Sequence, residues 1–141
     1  MIHSPFRPVA LFFVLMTLAL IARAEPRCTD FLKALHKKPT NLKYLGCKQQ
    51  NEMQGQPLEA SYRVTGSHAA EVEQYLVKEL KLKKLRRVCC IWESTENSYQ
   101  DEKDELFVIS MSTDETLIAK KSDWSRIPFF YVKVDRFRED P

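Results

Sequence analysis

The sequence predicts an α+β fold: a five-stranded, mainly antiparallel sheet with two helices on one face, in the order α-β-β-α-β-β-β. Two patterns and one bound carry that reading. Apolar residues recur at helical spacing in two stretches, and five others alternate, or run apolar, over the length of a strand. The chain has 141 residues and only three Gly, room for one domain and too little glycine for collagen-like architecture.

The first 24 residues read as an export signal rather than as part of the fold. Met1 to Pro8 carries one Arg, Val9 to Ile21 is apolar or nearly so, and Ala22-Arg23-Ala24 sets small residues at the minus-three and minus-one positions. Those are the three parts of a secretory signal peptide. The apolar run stops short of the roughly 20 residues that a spanning helix needs. Cleavage after Ala24 is therefore expected to leave residues 25–141 as a single domain, periplasmic or secreted, with no stable membrane anchor. Lipid attachment at Cys28 is disfavoured, because Glu25-Pro26-Arg27 stand where small residues are required. Loss of Arg7 and Arg23 also changes the balance of 22 basic against 19 acidic residues to a net +1. Near-neutrality removes any whole-protein argument for nucleic acid as a partner.

Cys28, Phe31, Leu32 and Leu35 form the stripe of a short helix that Lys37-Lys38-Pro39 closes, since the residue before proline is pushed out of helical geometry. Residues from Leu42 to Cys47 alternate, a polar stretch runs from Gln49 to Gln56, and Leu58, Ala60, Tyr62 and Val64 alternate with Glu59, Ser61, Arg63 and Thr65. These two strands are expected to pair as a hairpin. Ser67 is the expected N-cap of a helix over about 68–81. That helix carries Val72, Leu76 and Leu80 on one face, Glu71 and Glu73 toward its positive end, and Lys78 and Lys81 toward its negative end. Arg87 to Glu93, with its Val-Cys-Cys-Ile-Trp run, reads as a central strand. A polar loop from Glu93 to Asp104 leads to strands at Leu106–Ser112 and Phe129–Phe137. Between them, Ser122-Asp123-Trp124 opens one helical turn that Pro128 ends.

Export changes the meaning of Cys28, Cys47, Cys89 and Cys90, because thiols outside the cytosol are normally paired. All four are expected in disulfides, and four cysteines allow three pairings. Joining Cys89 to Cys90 closes an eight-membered ring that strains the intervening peptide, which disfavours it. The other two pairings each tie Cys28 and Cys47 to the double-cysteine strand. Closing such loops of some 40 to 60 residues stabilises by about 4 kcal/mol each. Spacing argues against metal, since adjacent cysteines and isolated His36 and His68 do not match the usual ligand intervals. Redox catalysis lacks its C-x-x-C motif.

Several local patterns coincide: Cys28-x-Asp30-Phe31-Leu32, Lys38-Pro39, Pro57-Leu58-Glu59-Ala60-x-Tyr62-x-Val64-x-Gly66, Glu71-Val72-Glu73-x-Tyr75-Leu76, Arg86-Arg87-x-Cys89-Cys90-x-Trp92 and Trp124-x-x-Ile127-Pro128-x-Phe130. Together they resemble a family of small exported bacterial proteins classified only as a domain of unknown function. The resemblance extends over essentially all of the mature chain, and its most distinctive part is the double-cysteine-tryptophan segment. It implies a bacterial, periplasmic setting and supplies no substrate, cofactor or catalytic residue.

Acid-base chemistry needs convergent titratable groups, for which His68, Glu71, Asp30 and His36 are the available players. His68 falls in a first helical turn beside a cap, where exposure is the ordinary outcome. No nucleophile elbow, zinc-binding helix or phosphate-cradling glycine loop occurs. No catalytic residue, cofactor or metal is therefore expected. Charge segregation is the least average feature: Lys78, Lys81, Lys83, Lys84, Arg86 and Arg87 precede the double cysteine, and Glu93, Glu96, Asp101, Glu102, Asp104 and Glu105 follow it. A solvated basic helix end facing an acidic loop explains this without function. Its functional reading is a surface that steers a partner of complementary charge, with Lys81, Lys83, Lys84, Arg86 and Arg87 as the contact residues. Phe129 to Tyr131 alternate across a strand expected to lie at an edge, a second partner surface. The sequence thus points to a non-enzymatic protein-binding module of inhibitor, immunity or envelope-accessory type, whose partner is another envelope or secreted protein. The competing expectation is a small envelope hydrolase with its site near His68, Glu71 and the loop after Trp92.

Overall fold

The computed structural model describes residues 26–137. The expected signal peptide lies outside them. The elements run α1 (Phe31–Ala34), β1 (Lys43–Gln49), β2 (Leu58–Thr65), α2 (Gly66–Leu80), β3 (Arg86–Val88), β4 (Ile91–Glu93), β5 (Asn97–Gln100), β6 (Leu106–Thr113), a 3-10 turn (Lys121–Arg126) and β7 (Phe129–Arg136). Every strand pairing is antiparallel. Among the described residues the sheet has seven strands, in the order β1-β2-β7-β6-β4-β3 with β5 alongside β6.

The five-stranded α+β expectation is corrected. Strands outweigh helices, α1 is a single turn, and the architecture is closer to all-β. Two strands went uncounted for identifiable reasons. The stretch expected as one central strand is a tight hairpin at the sheet's edge: Val88 faces Ile91, leaving Cys89-Cys90 as a two-residue turn. Such turns favour Asn or Gly because they require positive φ. Here Cys89 takes a φ of 51°, so no turn residue interrupts the apolar run. In the polar loop, Asn97 to Gln100 pairs with Leu106 to Ile109 despite its lack of apolar alternation.

Tertiary packing explains the element boundaries. Thr65 precedes α2 without a side-chain cap bond, so the helix starts before the expected Ser67 cap. Gly66 begins it because a Cβ there would collide with the backbone oxygens of Trp124 and Ile127. At the other end Lys81 is left-handed, with φ 61°, and Leu82 N–H bonds back to the Leu76 carbonyl at 3.2 Å, the wrap that usually uses glycine. The core lies between the helices and one sheet face, where Leu58, Ala60, Tyr62, Val64, Phe130, Val132 and Val134 meet Val72, Leu76 and Leu80, all of them buried. Trp124 fills its centre, edge-on to Trp92 at 5.1 Å and tilted against Phe130 at 4.8 Å.

Cys28 is bonded to Cys47, with Cα atoms 5.4 Å apart, so neither expected tie to the double cysteine is present. Strand order makes those ties unreachable: β1 and the β3–β4 hairpin sit at opposite edges of the main strand path. At about 4.8 Å per strand, that separation far exceeds the ~7 Å limit between bridged Cα atoms. A bulge between Tyr44 and Gly46 shifts the register of β1 and sets Cys47 beside Ala60 on the helix-covered face, within reach of Cys28. Asp30 secures the same corner. Its carboxylate accepts from Lys33 N–H (3.0 Å), Tyr62 hydroxyl (3.0 Å) and Lys38 ammonium (2.6 Å), while Tyr62 oxygen accepts from Leu32 N–H (3.1 Å). Burial works against ionisation of Asp30, but the bonds from Lys38, Lys33 and Tyr62 outweigh it and hold the carboxyl below its ordinary range.

Candidate functional site

Five basic residues follow α2, and the structure divides them. Leu82 and Leu85 are buried, at 2% and 7% exposure, while Lys81, Lys83, Lys84 and Arg86 between and beside them are exposed. This segment is pinned from below. Glu73, buried on α2, accepts from Leu85 N–H at 2.7 Å and from the Lys121 ammonium. Among the described residues, no ion pair occupies Lys81, Lys83, Lys84 or Arg86. Arg87 differs. It is half-buried, and its guanidinium donates to the carbonyls of Thr116 (2.5 Å) and Ile118 (2.6 Å), so it clamps a loop instead of facing solvent. Trp92 Nε1 reaches the same Ile118 carbonyl at 2.8 Å.

Part of the acidic half of the segregated charge, Asp101 and Glu105, is committed to local structure, while Glu96 and Glu102 are exposed. Glu93 lies opposite Arg86 across the hairpin. Asp101 accepts from Lys103 N–H (2.8 Å) and Glu105 N–H (2.9 Å), closing the β5–β6 turn, and Glu105 pairs with Arg136 at 2.6 Å. A cationic strip of Lys81, Lys83, Lys84 and Arg86 runs into β3, a strand at the sheet's edge.

Of the residues considered for acid-base chemistry, only His68 and Glu71 share an element, three positions apart on α2. His68 and Glu71 occupy the first turns of α2, where Glu71 is exposed and accepts from Asn41 at 3.3 Å. Asp30 belongs to the α1 corner, and His36 is exposed where α1 ends. None of these four lines either of two surface clefts of about 250 Å³ each. One is bounded by Asp114, Glu115, Thr116, Ile127, Pro128, Phe129 and Tyr131. The aromatic edge expected there is corrected. β7 lies between β2 and β6, Phe130 is in the core, and Phe129 is stacked under the Arg63 guanidinium at 4.6 Å.

Sequence reasoning missed a carboxylate pair on the sheet face away from the helices. Cross-strand register sets Glu59 opposite Asp135. Glu59 is 5% exposed and accepts from Lys133 at 3.3 Å, whereas Asp135 Oδ1 is buried without a hydrogen-bond partner. Burial foremost, then the charges of Glu59 and Glu96 against the opposing Lys133, raise the Asp135 pKa to about 6. Alternation marks both as outward-facing; only pairing register makes them neighbours.

Residues 16–92 match the family described as a domain of unknown function, DUF4952. The match ends at Trp92, so it includes the double-cysteine hairpin and leaves β5, β6 and β7 outside. No curated protein and no solved structure matches the chain.

Proposed function

The chain belongs to the domain-of-unknown-function family DUF4952, and within that family we propose that it is an exported, non-enzymatic protein-binding module. Its partner is an envelope or secreted protein with an acidic segment, received along the strip of Lys81, Lys83, Lys84 and Arg86 and the edge of β3. One observation carries this reading: exposed cations without ion-pair partners among the described residues, on a backbone that two buried leucines and the Glu73–Leu85 bond hold in place. Preorganisation matters because the ordering of a loop on binding consumes affinity. Exposed cations also steer encounter with an acidic partner at a rate that falls with salt, and a free strand edge can bond an added extended segment. In this reading Arg87 supports the surface without touching the partner.

The test compares the wild-type chain with the double variant Lys83→Glu, Lys84→Glu on extracts of periplasm or medium. A protein retained by the wild type at low salt, released by salt and not held by the variant is the expected result. Equal retention by both chains would remove the strip from the function. Export has its own check: N-terminal sequencing of protein recovered outside the cytosol should begin at Glu25.

A further inference from the structure

We propose that Cys89 and Cys90 are a vicinal dithiol that closes, by exchange with a disulfide donor, into an intramolecular bond at the tip of the β3–β4 hairpin. This assigns a reversible modification site to the double-cysteine motif and does not depend on the basic strip. With Cys28 and Cys47 bonded to each other, Cys89 and Cys90 are the remaining thiols. Neighbours in a regular strand point to opposite faces. Here the left-handed Cys89, φ 51°, turns the chain so that the two Sγ atoms approach to 2.8 Å, short of a bond of ~2.05 Å but without an intervening group. The frame around them is fixed on both sides. Cys90 carbonyl accepts from Thr116 N–H at 2.7 Å, and Arg87 holds the carbonyls of Thr116 and Ile118. The hairpin and the loop it grips therefore hold the two sulfurs close before any bond forms, and the strain of the eight-membered ring stays with the closed form, which keeps it open to reduction.

Exposure and proton placement set the order of events. Cys89 is the exposed member. The Cys90 thiol is raised first by its hydrogen bond with Cys89, then by desolvation and the charges of Cys89 and Glu115, with Arg87 opposing. Cys89 thiolate attacks the donor's disulfide, breaking that S–S bond, forming a mixed disulfide and releasing one donor thiolate. Cys90 then gives its proton to solvent, and its thiolate attacks the Cys89 sulfur and expels the second donor thiolate. Two protein thiols are oxidised as one disulfide is reduced to two thiols. Reduction by a dithiol reverses the sequence.

The experiment equilibrates the purified protein with oxidised or reduced glutathione, blocks free thiols with iodoacetamide and digests it with trypsin without reduction. Cleavage after Arg87 and Lys103 leaves both cysteines on the peptide 88–103. Oxidised protein should yield this peptide two hydrogens lighter than the dithiol and without alkylation, from a monomeric chain. Reduced protein should yield it doubly alkylated and, before alkylation, should bind one phenylarsine oxide, a reagent for paired thiols that the oxidised protein should not bind. The variant Cys90→Ser should stop at a stable glutathione adduct on Cys89. Double alkylation after treatment with oxidised glutathione, a persistent glutathione adduct on the wild-type peptide, or a dimer joined through these residues would each overturn the proposal.

Discussion

Gly66 shows at the scale of one residue how little room the strand-to-helix corner leaves. Its nearest neighbours are backbone oxygens of Trp124 and Ile127, which cannot rotate away as a side chain can. Gly66→Ala should destabilise the protein by about 3 kcal/mol through overpacking, seen as a lower urea midpoint with an unchanged slope. Asp135 gives a prediction with a defined pH window. Its folded pKa is raised from 3.8 to about 6, so between those values the folded state binds more protons than the unfolded state, and stability from this group falls as pH rises through the window. Above pH 6 the buried carboxylate is a net cost, and Asp135→Asn should stabilise the chain there by about 1–3 kcal/mol. The advantage should shrink as pH falls through 6 and vanish below 3.8 in paired denaturation curves. Asp30 has the opposite sign: its lowered pKa contributes stability above the unfolded value, lost as pH falls through the folded one.

Among the elements, α2 links the core to the cationic strip. Helical spacing identifies its buried face, Val72, Leu76 and Leu80, but treats Glu73 as a charge placed for the helix dipole. In the fold Glu73 is nearly inaccessible and accepts the Leu85 N–H, so it fastens the segment that presents Lys83 and Lys84. Its other bond comes from Lys121, on the 3-10 turn. Glu73→Ala should cost about 2 kcal/mol, the penalty for orphaning a buried donor, and should speed hydrogen exchange at Leu85 amide more than at amides in the centre of β7. A uniform change across both would mean that Glu73 contributes to global stability without holding the strip. The β3–β4 hairpin is the other informative element. Its turn uses cysteines where glycine or asparagine is usual, and therefore reads in sequence as uninterrupted strand.

At the scale of the whole molecule, the sheet order decides which cross-links are possible. A bond across the 19-residue separation of Cys28 and Cys47 fastens α1 to the edge strand β1 and leaves the opposite edge free of it. Its loss in the double variant Cys28→Ser, Cys47→Ser should lower stability by about 3 kcal/mol, the loop-closure value at this length. That is below the roughly 4 kcal/mol for longer loops tied to the double cysteine. Thermal denaturation should show the difference against a Cys89→Ser, Cys90→Ser control, which leaves the Cys28–Cys47 bond in place.

Local alternation was sufficient to read β2, β6 and β7, because side chains of period two report directly which face is buried. Helical periodicity likewise marked α2, and the segregation of Lys81, Lys83, Lys84 and Arg86 from the acids beyond Trp92 was visible without a structure. Tertiary structure alone decided that β3 and β4 are two edge strands, that Cys47 meets Cys28, that Arg87 grips a loop, and that Glu59 faces Asp135. Those facts depend on strand order and register, which join residues tens of positions apart, and no local pattern of polarity encodes which strand lies beside which.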